Sequence, residues 1–464
     1  MSNSTKEVRP FGIRDKMGYM FGDLANDFSF IFASTYVMVF YTKVMGISTA
    51  MVGTMFLIAR CVDAFTDIGM GRIVDMSKPT KNGRIRPWIL RMCGFVALAS
   101  FMMYQSFLID ASYGAKVVYM FITYLLWGSV FYTSINIPYG SMASVISGEP
   151  KDRSSLSVFR SVGGTFAGIL IGVAAPMLVY YTDEQGNQVV SAGRISLVAG
   201  IFSICSVIFY LLCYFMTTER VEYKPKTDKK SIGATLKVVI TNRALLGMIA
   251  SAVLLLLASL MSQGMNVYLY ADYFKNASAM SISSMLMLPC IIVMAIFSTK
   301  LSAKFGKKEC STVGMLASCV IYLILGILHI TNVWVYIGGA FLAMLGMYFF
   351  QTQCWALVTD VIDDVEVSSG SREDGTIYGI YSFSRKIGQA IAGGLSGWAL
   401  GWIGYDSLAA GQTQEVANGI YNLSTFFPAV IYLLCALALI FIYPLSKSKV
   451  EANVAELKKR AGKA

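Results

Sequence analysis

Histidine is almost missing: His329 is the only one in 464 residues. Metal or acid–base chemistry built on imidazole therefore has little to draw on. Charge is scarce as well. Asp, Glu, Lys and Arg make up 14% of the chain, where a soluble domain carries about a quarter. The 9 cysteines include no CxxC pair and are scattered through apolar runs, as at Cys61, Cys205, Cys290 and Cys354. They read as small buried hydrophobes, which excludes a disulfide frame and a thiolate metal site. Neither a Walker loop nor an HExxH helix occurs, so no enzyme constellation stands out. The N-terminus, with Lys6, Arg9, Arg14 and Lys16, lacks the apolar stretch of a cleavable signal.

Apolar length is what the chain has in abundance. It is 56% hydrophobic with a mean hydropathy of +0.60, the balance of an integral membrane protein. A net charge of +11 would suit nucleic acid, but the basic residues lie between hydrophobic spans and so report topology; no nucleic acid is expected. Runs of ~20 or more apolar residues fall at about 17–42, 48–73, 88–110, 115–146, 156–181 and 194–216. A polar stretch follows, then runs at about 244–271, 281–303, 310–330, 333–360, 375–403 and 419–443. The expected organisation is a six-helix bundle over 1–216, a linker over 217–243, a second six-helix bundle over 244–446 and a tail over 447–464.

Lysine and arginine collect in alternate loops: Lys78–Arg86, Lys151 and Arg153, Arg220–Lys237, Lys304–Lys308, Arg372 and the Lys447–Lys463 tail. By the positive-inside rule both termini and the linker are cytoplasmic. The halves echo one another. GRIVDMSKPTKNGRIR after the second span has a shorter counterpart, KLSAKFGKK, after the eighth. The fifth and eleventh spans carry glycine ladders, Gly164–Gly168–Gly172 and Gly393–Gly397–Gly401, which read as close helix packing. Repeated halves with a midplane site mark secondary transporters.

Against this background a few polar side chains stand at membrane depth, where a carboxylate costs several kcal/mol. Asp63 and Asp67 lie at i,i+4 in the second span, one turn apart on one face. With the basic loop that follows, they look like a cation site beside a gate. The first span has Asp23, Asn26 and Asp27. The fourth has Trp127, Tyr132, Thr133 and Asn136, with Pro138 freeing a carbonyl. The eleventh has Tyr378, Tyr381, Ser382, Arg385, Lys386 and Gln389; Arg160 opens the fifth and Trp355 lies in the tenth. Acids, amides, hydroxyls, cations and rings together suit a sugar. The cluster Asp360, Asp363, Asp364 and Glu366 reads as a solvated loop that pairs with the basic loops during gating.

The run R-x-x-D-A-x-x-D from Arg60 to Asp67 and G-R-I-R-P-W at Gly83–Trp88 resemble the glycoside–pentoside–hexuronide:cation symporters, the melibiose-carrier branch of the major facilitator superfamily. N-I-P-Y-G-S (Asn136–Ser141), S-F-S-R-K-I-G-Q-A (Ser382–Ala390) and G-D-L-A-N (Gly22–Asn26) look most like the bacterial glucuronide carriers. The resemblance implies an all-α membrane protein with about twelve transmembrane helices in two pseudo-symmetric bundles. It implies a cation site at Asp63 and Asp67, a metal site if the ion is Na+, with Thr133 as a further ligand. It carries sugar-binding roles to Asp27, Arg160 and Trp355, and the link between sugar and cation to Lys386. The chain departs at Asn136, where melibiose carriers have an acid, and at Arg385, where they have an apolar residue. Both departures suit an anionic sugar, since a guanidinium can grip a carboxylate bidentately.

Substrate contacts are therefore expected at Asp27, Asn26, Asn136, Arg160, Trp355, Tyr381, Ser382, Arg385 and Lys386, and gating contacts at Asp75, Arg84, Arg86, Asp363 and Glu366. The expected function is uptake of a sugar or glycoside, a glucuronide first, with H+ or Na+ by alternating access. The expected protein is a lipid-embedded monomer of the bacterial inner membrane, needing no cofactor beyond the coupling cation. The alternative within the class is a neutral pentoside or galactoside symporter. A membrane sugar sensor would carry an added output domain, and a polytopic enzyme would need a reactive constellation; neither is visible.

Overall fold

The structure, a computed structural model, describes residues 9–221, 242–369, 374–407, 409 and 411–461. Most of the basic linker and Arg372 lie outside the described residues, as do the side chains of Asp75, Trp355, Tyr378 and Ser382. The chain divides into two compact units. One is Met1–Thr227 with Asp406–Ala410, and the other is Asp228–Tyr405 with Gly411–Ala464.

In the first unit the helices are α1 (Ile13–Val39), α2 (Thr49–Met76), α3 (Arg86–Met102), α4 (Tyr113–Leu125), α5 (Thr133–Ile146), α6 (Pro150–Val179) and α7 (Ala192–Met216). A π-helical turn, Leu126–Tyr132, joins α4 to α5 in one rod. A small antiparallel hairpin, β1 (Tyr180–Thr182) with β2 (Gln188–Val190), follows α6. In the second unit they are α8 (Arg243–Tyr268), α9 (Ala277–Met285), α10 (Met287–Phe305), α11 (Lys307–Leu328), α12 (Val333–Ser369), α13 (Asp374–Trp402), α14 (Gln414–Leu437) and α15 (Lys447–Ala461). Local chemistry sets the starts. Ser112, Ser191, Asn242, Asn276 and Thr413 each accept a first-turn N–H, and Pro87 and Pro150 sit where their missing N–H costs nothing.

Among the described residues, nine helical runs are long and apolar enough to cross a membrane. With α1, α3 and α13 each unit has six rods, and the two units pair them alike. In the first, α1 packs on α6 and α7, and α3 on α5 and α7; in the second, α8 packs on α13 and α14, and α11 on α12 and α14. The first unit's core gathers Tyr19, Ala25, Val74, Ile89, Val96, Ile135, Tyr139 and Tyr210. Large apolar side chains such as Phe65, Phe166 and Ile204 face outward, as a lipid solvent requires.

Each unit also closes on itself through a carboxylate at the end that bears the basic loop. Glu219, just after α7, accepts the backbone N–H groups of Arg84 (2.9 Å), Ile85 (2.9 Å) and Arg86 (2.6 Å) at the start of α3. It comes so near Gly83 (φ 104°) that a Cβ there would lie 2.4 Å from the carboxylate, so glycine is required both for conformation and for space. In the second unit Gly306 (φ 101°) precedes α11 and abuts Glu309, which accepts the N–H of Lys447 (3.1 Å) after α14. The two clasps join equivalent elements, with the acid on opposite partners. Asp15, fully buried, adds a further tie: it pairs with Arg9 (2.7 Å) and Arg220 (2.9 Å) and accepts the N–H of Thr218 (3.1 Å).

Two expectations are corrected here. The acidic cluster is not a loop: α12 continues through it to Ser369 because Val361, Ile362 and Val365 bury a helical face. Asp360 then pairs with Lys307 (2.6 Å) and Asp364 accepts from Asn453 (2.9 Å). The third span stops at Met102, where Tyr104 turns into the core and Gln105 donates to the Phe101 carbonyl (2.8 Å). The tail is the helix α15, whose Arg460 donates to the Glu366 and Val367 carbonyls of α12.

Candidate functional site

The π-turn 126–132 decides the geometry of the first half-site, since such turns displace a helix face and are frequent where function needs it. It aims Ser129 and, one turn on, Thr133 at α2, and both hydroxyls are buried. Ser129 Oγ donates to Asp63 Oδ1, and Thr133 Oγ1 donates to Asp67 Oδ1 at 3.0 Å. Two carboxylates four residues apart thus meet two hydroxyls four residues apart. Arg60 donates to Asp63 Oδ2 at 2.9 Å, and its guanidinium lies over the Phe30 ring at 5.6 Å. The donors are all oxygen, which suits Na+ through its ligands or H+ through a carboxylate.

A second group lies between α1 and α6. Arg160 Nε donates to Asp23 Oδ1 at 2.7 Å, and the guanidinium sits 5.3 Å from the Tyr139 ring centre. Asp27 stands beside this pair. A Cβ on Gly164 would be 2.6 Å from Asp27 Oδ2 and 3.0 Å from Asp23 Oδ2. The glycine read as plain packing is therefore what lets α6 pass both carboxylates, whereas Gly168 meets only Ile31 at an ordinary 3.6 Å. Around this region Tyr132 stacks on Phe30 (5.8 Å), and buried Trp127 donates its indole N–H to Ser29. Half-buried Asn136 is on α5 one turn beyond Thr133.

Asn26 is not with this group. Its amide donates to the Gly22 carbonyl (3.0 Å) and accepts from Tyr210 (2.8 Å), holding α1 to α7. The basic-loop residues Arg84 and Arg86 are tied to the end of α7. Their N–H groups go to Glu219, and the Arg86 guanidinium donates to the Tyr214 carbonyl (2.6 Å) and lies over the Tyr214 ring. In the second unit Tyr381 is buried, and Arg385 lies 6.0 Å over its ring. Lys386, the next residue on α13, is exposed, and Asp363 and Glu366 are half-buried on α12. Of the unexpected residues, Ser129 had a signal in its spacing to Thr133, which matches that of Asp63 to Asp67. Glu219 and Asp15 had none, because backbone N–H groups far along the chain are among their partners.

Two units of six rods paired alike, the first holding charges and hydroxyls against one another inside its bundle, have the build of a membrane transporter. Residues 18–447 match the family model described as MFS/sugar transport protein. The chain is 31% identical over 462 residues to an uncharacterised symporter of Bacillus subtilis strain 168, covering 99% of this chain and 98% of the relative. It is 30% identical over 452 residues to the glucuronide carrier protein homolog of Escherichia coli K12, covering 96% of each. It is also 30% identical over 430 residues to the isoprimeverose transporter of Lactiplantibacillus pentosus, covering 92% and 88%. Among solved structures, a D-xylose–proton symporter matches with a TM-score of 0.61 at 15% identity, covering 94% and 98%, and a bacterial Spinster homologue in an inward-facing state with 0.67 at 12%, covering 94% and 97%; these show the fold. The chain belongs to the sugar transport family of the major facilitator superfamily, in its glycoside–pentoside–hexuronide:cation symporter branch. It is a transporter and not an enzyme.

Proposed function

We propose that this protein takes up an anionic glycoside, of the β-glucuronide class, in symport with one monovalent cation. The observation that carries the reading is the matched pair of contacts, Ser129 to Asp63 and Thr133 to Asp67, with Arg60 on Asp63. The cation binds there. In the same half Asp27, Asn136 and Arg160 bind sugar hydroxyls. In the second half Trp355, Tyr381, Ser382, Arg385 and Lys386 contribute, with Arg385 supplying a guanidinium for the substrate carboxylate. Names among the relatives support the class: a glucuronide carrier homolog, a putative glycoside/cation symporter and an isoprimeverose transporter.

Symport requires sugar and cation each to raise the other's affinity, typically by about 1–3 kcal/mol. Asp75, Arg84, Arg86, Asp363 and Glu366 take the gating role on the cytoplasmic side of the inner membrane, where both termini, the 217–243 linker and the 447–464 segment lie, with bundles over 1–216 and 244–446. The protein works as a monomer. The test is uptake of a labelled glucuronide into proteoliposomes under an inward Na+ gradient or an inward proton gradient. Accumulation under one of them identifies the ion. Asp63→Cys should abolish it, and undiminished accumulation by that variant would remove the cation from this site.

A further inference from the structure

We propose that Asp23 is a specificity-determining residue: it occupies Arg160, so that the α1–α6 half-site reads sugar hydroxyls and turns a substrate carboxylate away. The inference rests on the glycoside reading above and concerns which pole of the substrate this half-site receives. Arg160 cannot easily leave its place. Its Nε is bound to Asp23 at 2.7 Å and its plane lies over Tyr139. That ring is itself stacked on Tyr19 at 4.8 Å and donates its hydroxyl to the Tyr19 carbonyl at 2.7 Å. The acid lies behind and the cation in front: the side chain of Asp23 is 12% exposed and that of Arg160 41%.

Charge then decides the ligand. Gly164 lets the Asp27 carboxyl stand next to the Asp23–Arg160 pair, in which the one guanidinium is already matched by one acid. A carboxylate arriving at Arg160 would face Asp23 across the one guanidinium they must share, where like charges repel. A sugar hydroxyl meets no such penalty. It can donate to Asp27 and accept from the outer N–H groups of Arg160. Asp23→Asn keeps the shape and removes the charge paired with Arg160, which opens the guanidinium to bidentate capture of an anion.

The experiment is calorimetric titration of the purified full chain with 4-nitrophenyl β-D-glucuronide and with the neutral 4-nitrophenyl β-D-glucoside, in wild type and Asp23→Asn. The expected result is a rise of about tenfold or more in glucuronide affinity relative to glucoside. An unmoved ratio, or equal weakening of both probes, overturns the assignment and leaves Asp23 a residue that only orients Arg160. Arg160→Gln gives a second reading that needs no Asp23 variant. It should weaken both probes alike, and a loss confined to the glucuronide overturns the proposal. Wild type binding the glucoside and not the glucuronide would sink the anionic-substrate reading, while the Asp23→Asn ratio still decides this one. A chain that binds neither probe in any form overturns both.

Discussion

Gly163 and Gly164 are neighbours on α6, yet a methyl group on each should fail in a different way. A Cβ on Gly164 would stand 2.6 Å from Asp27 Oδ2, where ordinary contact begins at 3.4 Å, so the carboxylate must retreat by about 0.8 Å. The yielding atoms are side-chain ends, and the fold should lose no more than about 1 kcal/mol. The ligand should lose as well. A carboxyl moved that far forfeits one hydrogen bond to a sugar hydroxyl, worth about 0.5–1.5 kcal/mol. Gly164→Ala should therefore weaken sugar binding about 2- to 12-fold. On Gly163 the same methyl meets the backbone carbonyl of Met20 at 2.5 Å, which cannot swing aside. There α1 and α6 must part, at about 1–3 kcal/mol of stability. The assay is thermal unfolding in detergent beside calorimetric titration of the glycoside. Gly164→Ala with wild-type affinity, or with the instability of Gly163→Ala, would refute the reasoning.

Two further variants test the rest. Thr133→Val removes the hydroxyl on Asp67 and should weaken the apparent affinity for the coupling cation about 2- to 12-fold, from about 0.5–1.5 kcal/mol for one hydrogen bond; Thr133→Ser should keep it, and equal loss in both would point to packing. Glu219→Ala strips three backbone N–H groups of their acceptor and should cost about 3 kcal/mol, read as a lower unfolding temperature; an unchanged transition would mean that the clasp on α3 carries no stability.

Spacing made part of the site legible. Asp63 and Asp67 announce one helical face by position alone, and the cost of charge in an apolar run marks them. Their hydroxyl partners were only half legible. Thr133 came with the resemblance, but a serine in a membrane span is ordinary, and Ser129 gains meaning only through the π-turn that aims it. Asp23 was visible as a charge; its pairing with Arg160, 137 residues away, was not. The segment from Asp360 to Glu366 read as a loop because its charges are dense, while the apolar positions between them kept it helical. Asn26 is legible as an amide at membrane depth, but its bond to Tyr210, 184 residues away, is not. Spans and their order came from hydropathy, whose signal is long. Clasps depend on single residues meeting distant backbone, and no periodicity reports that.

The two carboxylate clasps have a consequence for how the chain can be divided. Glu219 closes on residues 83–86 and Glu309 on Lys447, so neither clasp crosses from one unit to the other. The segment 222–241 between them can be cut at the level of the gene without severing either. Two separately translated halves would each carry the means to lock their own last helix to their third, and the intact polypeptide contributes joint delivery of both bundles to one membrane rather than the closure of either.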